Sequence, residues 1–130
     1  MDLALGAQAD NDGGPDRGAV WILFLNPDGT LKGEQRISAL SGNFAGSLSN
    51  YDHFGSALAG LGDLDGDGLV DLAVGAPDDD DSNFDKGAVW VLFLNADGSV
   101  KTHQKISALE GGFGGAGGTG RRRLGRASMI

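Results

Sequence analysis

A chain of 130 residues with 24 glycines, three prolines and no Gly-X-Y period is not collagen. Its 40% hydrophobic content, with six Phe and two Trp, is too apolar for a wholly disordered polymer, and no apolar run is long enough to span a membrane. The lack of cysteine excludes disulfides, thiolate nucleophiles and zinc ribbons. A net charge of −8, rising to −12 over residues 1–120, disfavours nucleic acid and favours metal cations or basic partners.

In chain order, the first feature is what does not precede the fold. Met1 is followed at once by Asp2, with no basic start and apolar stretch of a secretory signal. Either the protein does not leave the cell by that route or its true start lies upstream. Residues 2–44 then recur at an offset of 69, as residues 71–113, with 26 identities in 43 ungapped positions. The repeat divides the chain into an incomplete unit at 1–53 (strands two to four), a complete unit at 54–123, and the start of a further unit at 124–130.

Each unit reads as four short strands, and no apolar stripe of helical period runs through three turns. The complete unit places them at about Phe54 to Leu61, Val70 to Ala76, Gly87 to Leu94 and Val100 to Leu109. Asn26-Pro27-Asp28-Gly29 and Asn95-Ala96-Asp97-Gly98 suit type I turns and make the last two strands of each unit a hairpin. The third strand, Ala19 to Leu25 and again Ala88 to Leu94, is apolar at every position, which predicts that both of its faces are covered. Stacked four-stranded blades would do that. The fold class is therefore all-β: β-propeller blades of four antiparallel strands, about two of them, forming a partial propeller.

Between the first two strands of the complete unit runs Gly62-Asp63-Leu64-Asp65-Gly66-Asp67-Gly68-Leu69-Val70-Asp71, with Asp at loop positions 1, 3, 5 and 9. Hard cations take such oxygens: Ca²⁺ accepts six to eight, and Gly66 and Gly68 permit the coiling that turns alternate carboxylates inward. Leu69, at position 7, would offer its carbonyl. Position 12 is Val74 rather than the Glu of an EF-hand, so the loop reads as a calcium site on a β-hairpin. The alternative is a solvated acidic turn. Against it, each close carboxylate pair costs about 4 kcal/mol at an effective dielectric near 20 unless a counter-ion intervenes. Mg²⁺ fits less well because it resists dehydration and demands a small octahedral cage.

Phe54-Gly55, the loop from Asp63 to Asp71 and Gly75-Ala76-Pro77 stand in order in one unit, and together they resemble the FG-GAP repeat of the integrin α-subunit β-propeller, a repeat found also in bacterial surface and secreted proteins. The resemblance implies a propeller usually closed by seven repeats, calcium in the loop between the first two strands, and extracellular adhesion or ligand binding. It implies that Asp63, Asp65, Asp67, the Leu69 carbonyl and Asp71 are the ligands. The first copy keeps Gly6-Ala7-Gln8, with Gln for Pro, and only Asp2 of its loop, so no second site is expected there.

The remaining signals are scaffold-like. Asp78 to Asp81 read as an exposed solubilising loop, with a second cation contact as the alternative; His53 and His103 read as structural or surface residues; Trp21 and Trp90, at equivalent positions, read as packing between blades. Gly115 to Gly120 matches G-x-G-x-x-G, but Arg121-Arg122-Arg123 follows rather than a helix, so no dinucleotide site is read there. The Gly- and Arg-rich tail reads as an altered start of the next repeat, ahead of an RNA-binding segment. No catalytic constellation assembles, and the chain is read as a non-enzyme.

These residues together predict a calcium-binding, integrin-like scaffold, secreted or displayed at the cell surface, that contacts a protein or glycan through loops 8–17, 41–53, 77–86 and 110–123. The alternative is the non-catalytic propeller portion of a secreted hydrolase. Two blades would leave two apolar outer faces uncovered, so the natural product is expected to be longer, and the isolated chain to aggregate, assemble into a multi-chain ring or fold only in part.

Overall fold

The structure, a computed structural model, describes residues 2–79 and 87–107. They form two antiparallel sheets with no helix among the described residues: a three-stranded sheet of β1 (Asp2–Ala7), β2 (Ala19–Leu25) and β3 (Leu31–Ser38), and a four-stranded sheet of β4 (Ala57–Gly62), β5 (Asp71–Ala76), β6 (Ala88–Leu94) and β7 (Val100–Ser107). Each strand pairs with the next in sequence, the meander of a propeller blade. Four strands per complete unit are what the repeat predicts. Both β2–β3 and β6–β7 turn through an Asn-x-Asp-Gly corner, in which the Gly29 and Gly98 amides return to the Asn26 and Asn95 carbonyls at 2.9 and 3.0 Å. Each carries a bulge at the same place, Phe24/Leu25 and Phe93/Leu94.

The first strand of the complete unit starts at Ala57, not at the predicted Phe54. Gly55 sits at φ +97°, where a Cβ would lie 2.4 Å from the Ala19 carbonyl oxygen, so the extended run cannot include it. Phe54 instead forms a lone parallel bridge to Gly18 and is fully buried. Gly18, at φ +89°, would drive a Cβ to 2.0 Å from the Phe54 carbonyl. These glycines let two backbones touch and fix the second blade against the first.

The core lies between the sheets. Val20, Ile22 and Ile37 of the first blade meet Leu72, Val74, Trp90, Leu92 and Leu94 of the second, and Phe44 and Leu48 from the connecting segment fill the gap. Phe44 stacks on Phe54 at 5.1 Å and meets Trp90 and His103 edge-on at 5.0 and 5.5 Å. Asn43 and Gly42 clamp the same segment to the start of β7 through the backbone of Val100.

The expectation that the all-apolar third strand has both faces covered is corrected. In β6, buried Ala88, Trp90, Leu92 and Leu94 alternate with half-buried Val89, Val91 and Phe93. The reason is geometric: two blades make one interface, and a strand has two faces. Trp90 packs between blades as expected, whereas Trp21 is only half-buried, on the outer face of the first sheet with the Arg36 guanidinium 5.5 Å from its ring centre.

Candidate metal centre

The loop joining β4 to β5 is built by its own carboxylates. Asp63 accepts the amides of Gly66, Asp67 and Gly68 at 2.7–3.0 Å, which coils the chain around that side chain. Asp67 accepts the amide of Leu69 at 2.9 Å. Gly66 and Gly68 sit at φ +80° and +84°, the left-handed conformations that the tight coil requires. Asp71 opens β5 and is fully buried; one of its oxygens accepts the Leu64 amide at 3.0 Å and the other the Leu94 amide at 3.2 Å, tying the loop to the end of β6.

The outcome is a cluster. Asp63, Asp65, Asp67 and Asp71 each present a carboxylate oxygen within 4.8 Å of the others, the first three exposed to solvent and the last buried. The four acids that the sequence singles out are thus brought together. Leu69 lies half-buried in the same coil. A cation from the protein already reaches them: the Lys101 ammonium, at the start of β7, lies 2.6 Å from both Asp65 and Asp67. Hydrogen bonding from Lys101, and then from the Leu69 amide, lowers the Asp67 carboxyl to about 2, while the two carboxylates raise the Lys101 ammonium above its ordinary range. Sequence reasoning missed Lys101. Its signal was available, since the loop after a blade's first strand and the turn before its fourth emerge on the same side of the meander.

On the opposite side of the blades the loops are knitted rather than free. Tyr51 and His53 donate their amides to the carbonyls of Pro15 and Asp16 at 2.8 and 3.0 Å, and Arg17 Nε donates to Asn50 Oδ1 at 2.9 Å, so loops 8–17 and 41–53 form one surface. His53 links that surface to the next loop, its Nδ1 being 2.7 Å from Asp78 and its Nε2 being 3.7 Å from Asp16. The reading of Asp78 to Asp81 as an exposed solvated loop is corrected for its first two members. Asp78 holds His53, and Asp79 is buried with Lys105 Nζ at 3.1 Å, because the loop folds back over the fourth strand. The equivalent contact in the first blade is Arg36 against Asp10 at 3.9 Å; Arg36 also lies 3.2 Å from Asp12, to whose carboxylate Ser38 and Ser41 donate. Those hydroxyls and Arg36 hold the Asp12 carboxyl below its ordinary range, the Ser38 bond contributing most. Residues 80–86 of loop 77–86, all of loop 110–123 and the repeat start at 124–130 lie outside the described residues.

Residues 54–92 match the family model of the FG-GAP repeat. That segment is an FG-GAP repeat. The chain's similarity to curated proteins extends beyond that unit. Human integrin alpha-X is 42% identical over 79 residues, covering 58% of this chain, and mouse integrin alpha-IIb is 42% identical over 81 residues, again 58% of this chain. Integrin alpha-5 of Xenopus laevis is 44% identical over 45 residues, 35% of this chain. The chain spans 4–7% of the length of these relatives. Its two sheets are integrin-like propeller blades, and no helix among the described residues is long and apolar enough to cross a membrane.

Proposed function

We propose that this chain is a calcium-binding segment of an integrin-like β-propeller that serves as an extracellular binding and adhesion scaffold, with Ca²⁺ held by Asp63, Asp65, Asp67, the Leu69 carbonyl and Asp71. The single observation that carries the reading is the convergence of four carboxylates within 4.8 Å on one coiled hairpin loop. The donor set fits the ion: these are hard oxygens, enough of them with a carbonyl and water to reach the six to eight that Ca²⁺ takes. The Lys101 ammonium between Asp65 and Asp67 supports it, since the loop draws a positive charge from the protein itself. Extracellular calcium modules work at dissociation constants of about 10⁻⁴–10⁻³ M, so an exposed loop of this kind suits a chain outside the cell.

The ion's role is structural. Coordination by Asp71 and the loop carboxylates ties the β4–β5 corner to the end of β6, and a ligand that binds only the folded state adds stability by mass action. The protein or glycan partner meets the opposite side, where loops 8–17 and 41–53 form one surface and present the exposed ring of Tyr51, held at φ +66°. The repeat units at 1–53, 54–123 and 124–130 supply blades to that scaffold, and it carries no chemistry of its own. The calcium reading is tested by calorimetric titration: one site per chain, lost in Asp65→Ala and in Asp67→Ala, is the expected result. Unchanged Ca²⁺ binding in both variants overturns the assignment.

A further inference from the structure

The coil of the β4–β5 loop is held by its own hydrogen bonds: Asp63 takes the amides of Gly66, Asp67 and Gly68, Asp67 takes that of Leu69, and Asp71 ties the loop's end to β6. Folding alone therefore gathers four carboxylates, and like charges this close repel unless a cation offsets them. The fold supplies one. Lys101, the second residue of β7, reaches the loop from 34 residues away in sequence and sets its ammonium 2.6 Å from Oδ2 of Asp65 and 2.6 Å from Oδ2 of Asp67. Ca²⁺ binds oxygens at about 2.3–2.6 Å, so the ammonium stands where a metal ion shared by these two acids would stand.

A second cation on the same oxygens meets the first. An ion held through an oxygen that Lys101 also holds lies at most about 5 Å from the ammonium, where like charges repel appreciably even at the dielectric of a protein surface. Asp67 has no idle oxygen to offer instead, since its Oδ1 accepts the Leu69 amide at 2.9 Å. The ammonium is also tethered. A flexible four-carbon stem on a fixed strand keeps it beside the acids at an effective concentration of about millimolar, and an entering ion has to compete with that. Charge decides the contest: Na⁺ and K⁺ carry no more than the group they would evict, whereas Ca²⁺ carries twice as much and takes more oxygens.

We propose that Lys101 is the resident cation of this loop and sets which ions can enter it, an inference that rests on the calcium reading above. Lys101 leaves Asp65 and Asp67 for solvent when Ca²⁺ is held, so uptake is an exchange of one cation for another rather than the filling of an open cage. The exchange weakens the affinity for Ca²⁺ and excludes monovalent ions far more strongly, which makes the loop selective for divalent ions. It also unfastens the loop from β7 while the Asp71 link to β6 stays, so the two states of the loop differ in a contact that can be watched directly.

The test uses the full 130-residue chain with ¹⁵N- and ¹³C-labelled lysine, in which the Lys101 side-chain NMR signal is assigned by its loss in Lys101→Met. Adding Ca²⁺ is expected to move that signal from its ion-paired to its free position in step with the heat of binding, and Na⁺ to leave it in place. By calorimetry Lys101→Met binds Ca²⁺ several-fold more tightly than wild type, whereas Lys32→Met, which removes the same charge from the second residue of β3, binds as wild type does. Lys101→Gln takes the place of the Met variant if that one loses the wild-type circular dichroism spectrum. Replacing tetramethylammonium by Na⁺ at constant ionic strength weakens Ca²⁺ binding in Lys101→Met and leaves wild type little changed. A Lys101 signal that stays put as Ca²⁺ binds, a Lys101→Met variant that gains no more affinity than Lys32→Met, or Na⁺ that competes equally in both chains overturns the proposal and leaves the calcium reading standing. A wild-type chain that binds no Ca²⁺ overturns both.

Discussion

Asp71 is the one acid of the cluster that the fold needs even without a metal, and this separates its effect from that of its neighbours. It is fully buried and accepts the amides of Leu64 and Leu94, the latter bond itself buried. In Asp71→Ala the Leu94 amide is left without an acceptor, at a cost of about 1–3 kcal/mol, and the bond from the more accessible Leu64 amide to a charged acceptor is lost as well. The total is about 2–4 kcal/mol, or a fall of about 8–32 °C in melting temperature for a unit of this size, using 4–8 °C per kcal/mol. Asp65 is exposed and paired with the equally exposed Lys101, and an ion pair in full contact with water adds little, so Asp65→Ala should melt close to wild type in chelator. The assay is thermal unfolding followed by circular dichroism, with chelator and with saturating Ca²⁺. Both variants should lose the Ca²⁺-dependent gain, which for wild type is about 2.7 kcal/mol at one hundred times the dissociation constant. Only Asp71→Ala should also lose stability in chelator. Equal melting temperatures of the two variants in chelator would refute the reasoning.

Two further outcomes follow from the same geometry. Asp67 titrates in the folded chain at about 2, against an ordinary value of about 3.9, so its contact with Lys101 contributes stability above pH 4 that is lost as pH falls through 2. In Lys101→Met, NMR titration should find the Asp67 carboxyl moved up toward the ordinary value, and calorimetry should find Ca²⁺ bound several-fold more tightly because the competing ammonium is gone; weaker binding would show that Lys101 assists the site. Leu92→Ala, at a fully buried position, should cost about 2–5 kcal/mol by denaturant unfolding, whereas its twin Leu23→Ala, on the open face, should cost well under half as much; equal costs would contradict the placement of the open face.

The strands, their order and the acidic loop were legible because local chemistry repeats at an offset of 69. Asn-x-Asp-Gly corners mark two hairpins, apolar runs mark β2 and β6, and alternate Asp with glycines marks a coil that needs no distant partner to form. What escaped was whatever depends on which blade lies next door. Val89 and Trp90 are both large and apolar, and nothing local tells which one faces the neighbour; the register against β5 and the single interface decide it. Phe54 looks like the first residue of a strand, but Gly55 is there to let the Ala19 carbonyl approach, a contact 36 residues away in sequence. Asp79 looks like one of four solvated acids, and only the fold of the loop over Lys105 makes it a buried partner. Lys101 fell in the same class, a strand residue whose importance comes from the loop beside it.

The two tryptophans stand in equivalent positions and in opposite surroundings, one sealed against Phe44 and His103 and the other open beside Arg36. The molecule thereby carries two built-in optical probes with distinct assignments. Emission from Trp90, which is buried, should be blue-shifted and out of reach of iodide, and it would report whether the blades are closed on each other. Emission from the half-buried Trp21 should lie to the red of it and be the more readily quenched, and it would report what lands on the outside. Replacing either ring by Phe leaves a single-probe protein, so the closing of the interior and the covering of the exterior can each be timed in the same stopped-flow trace.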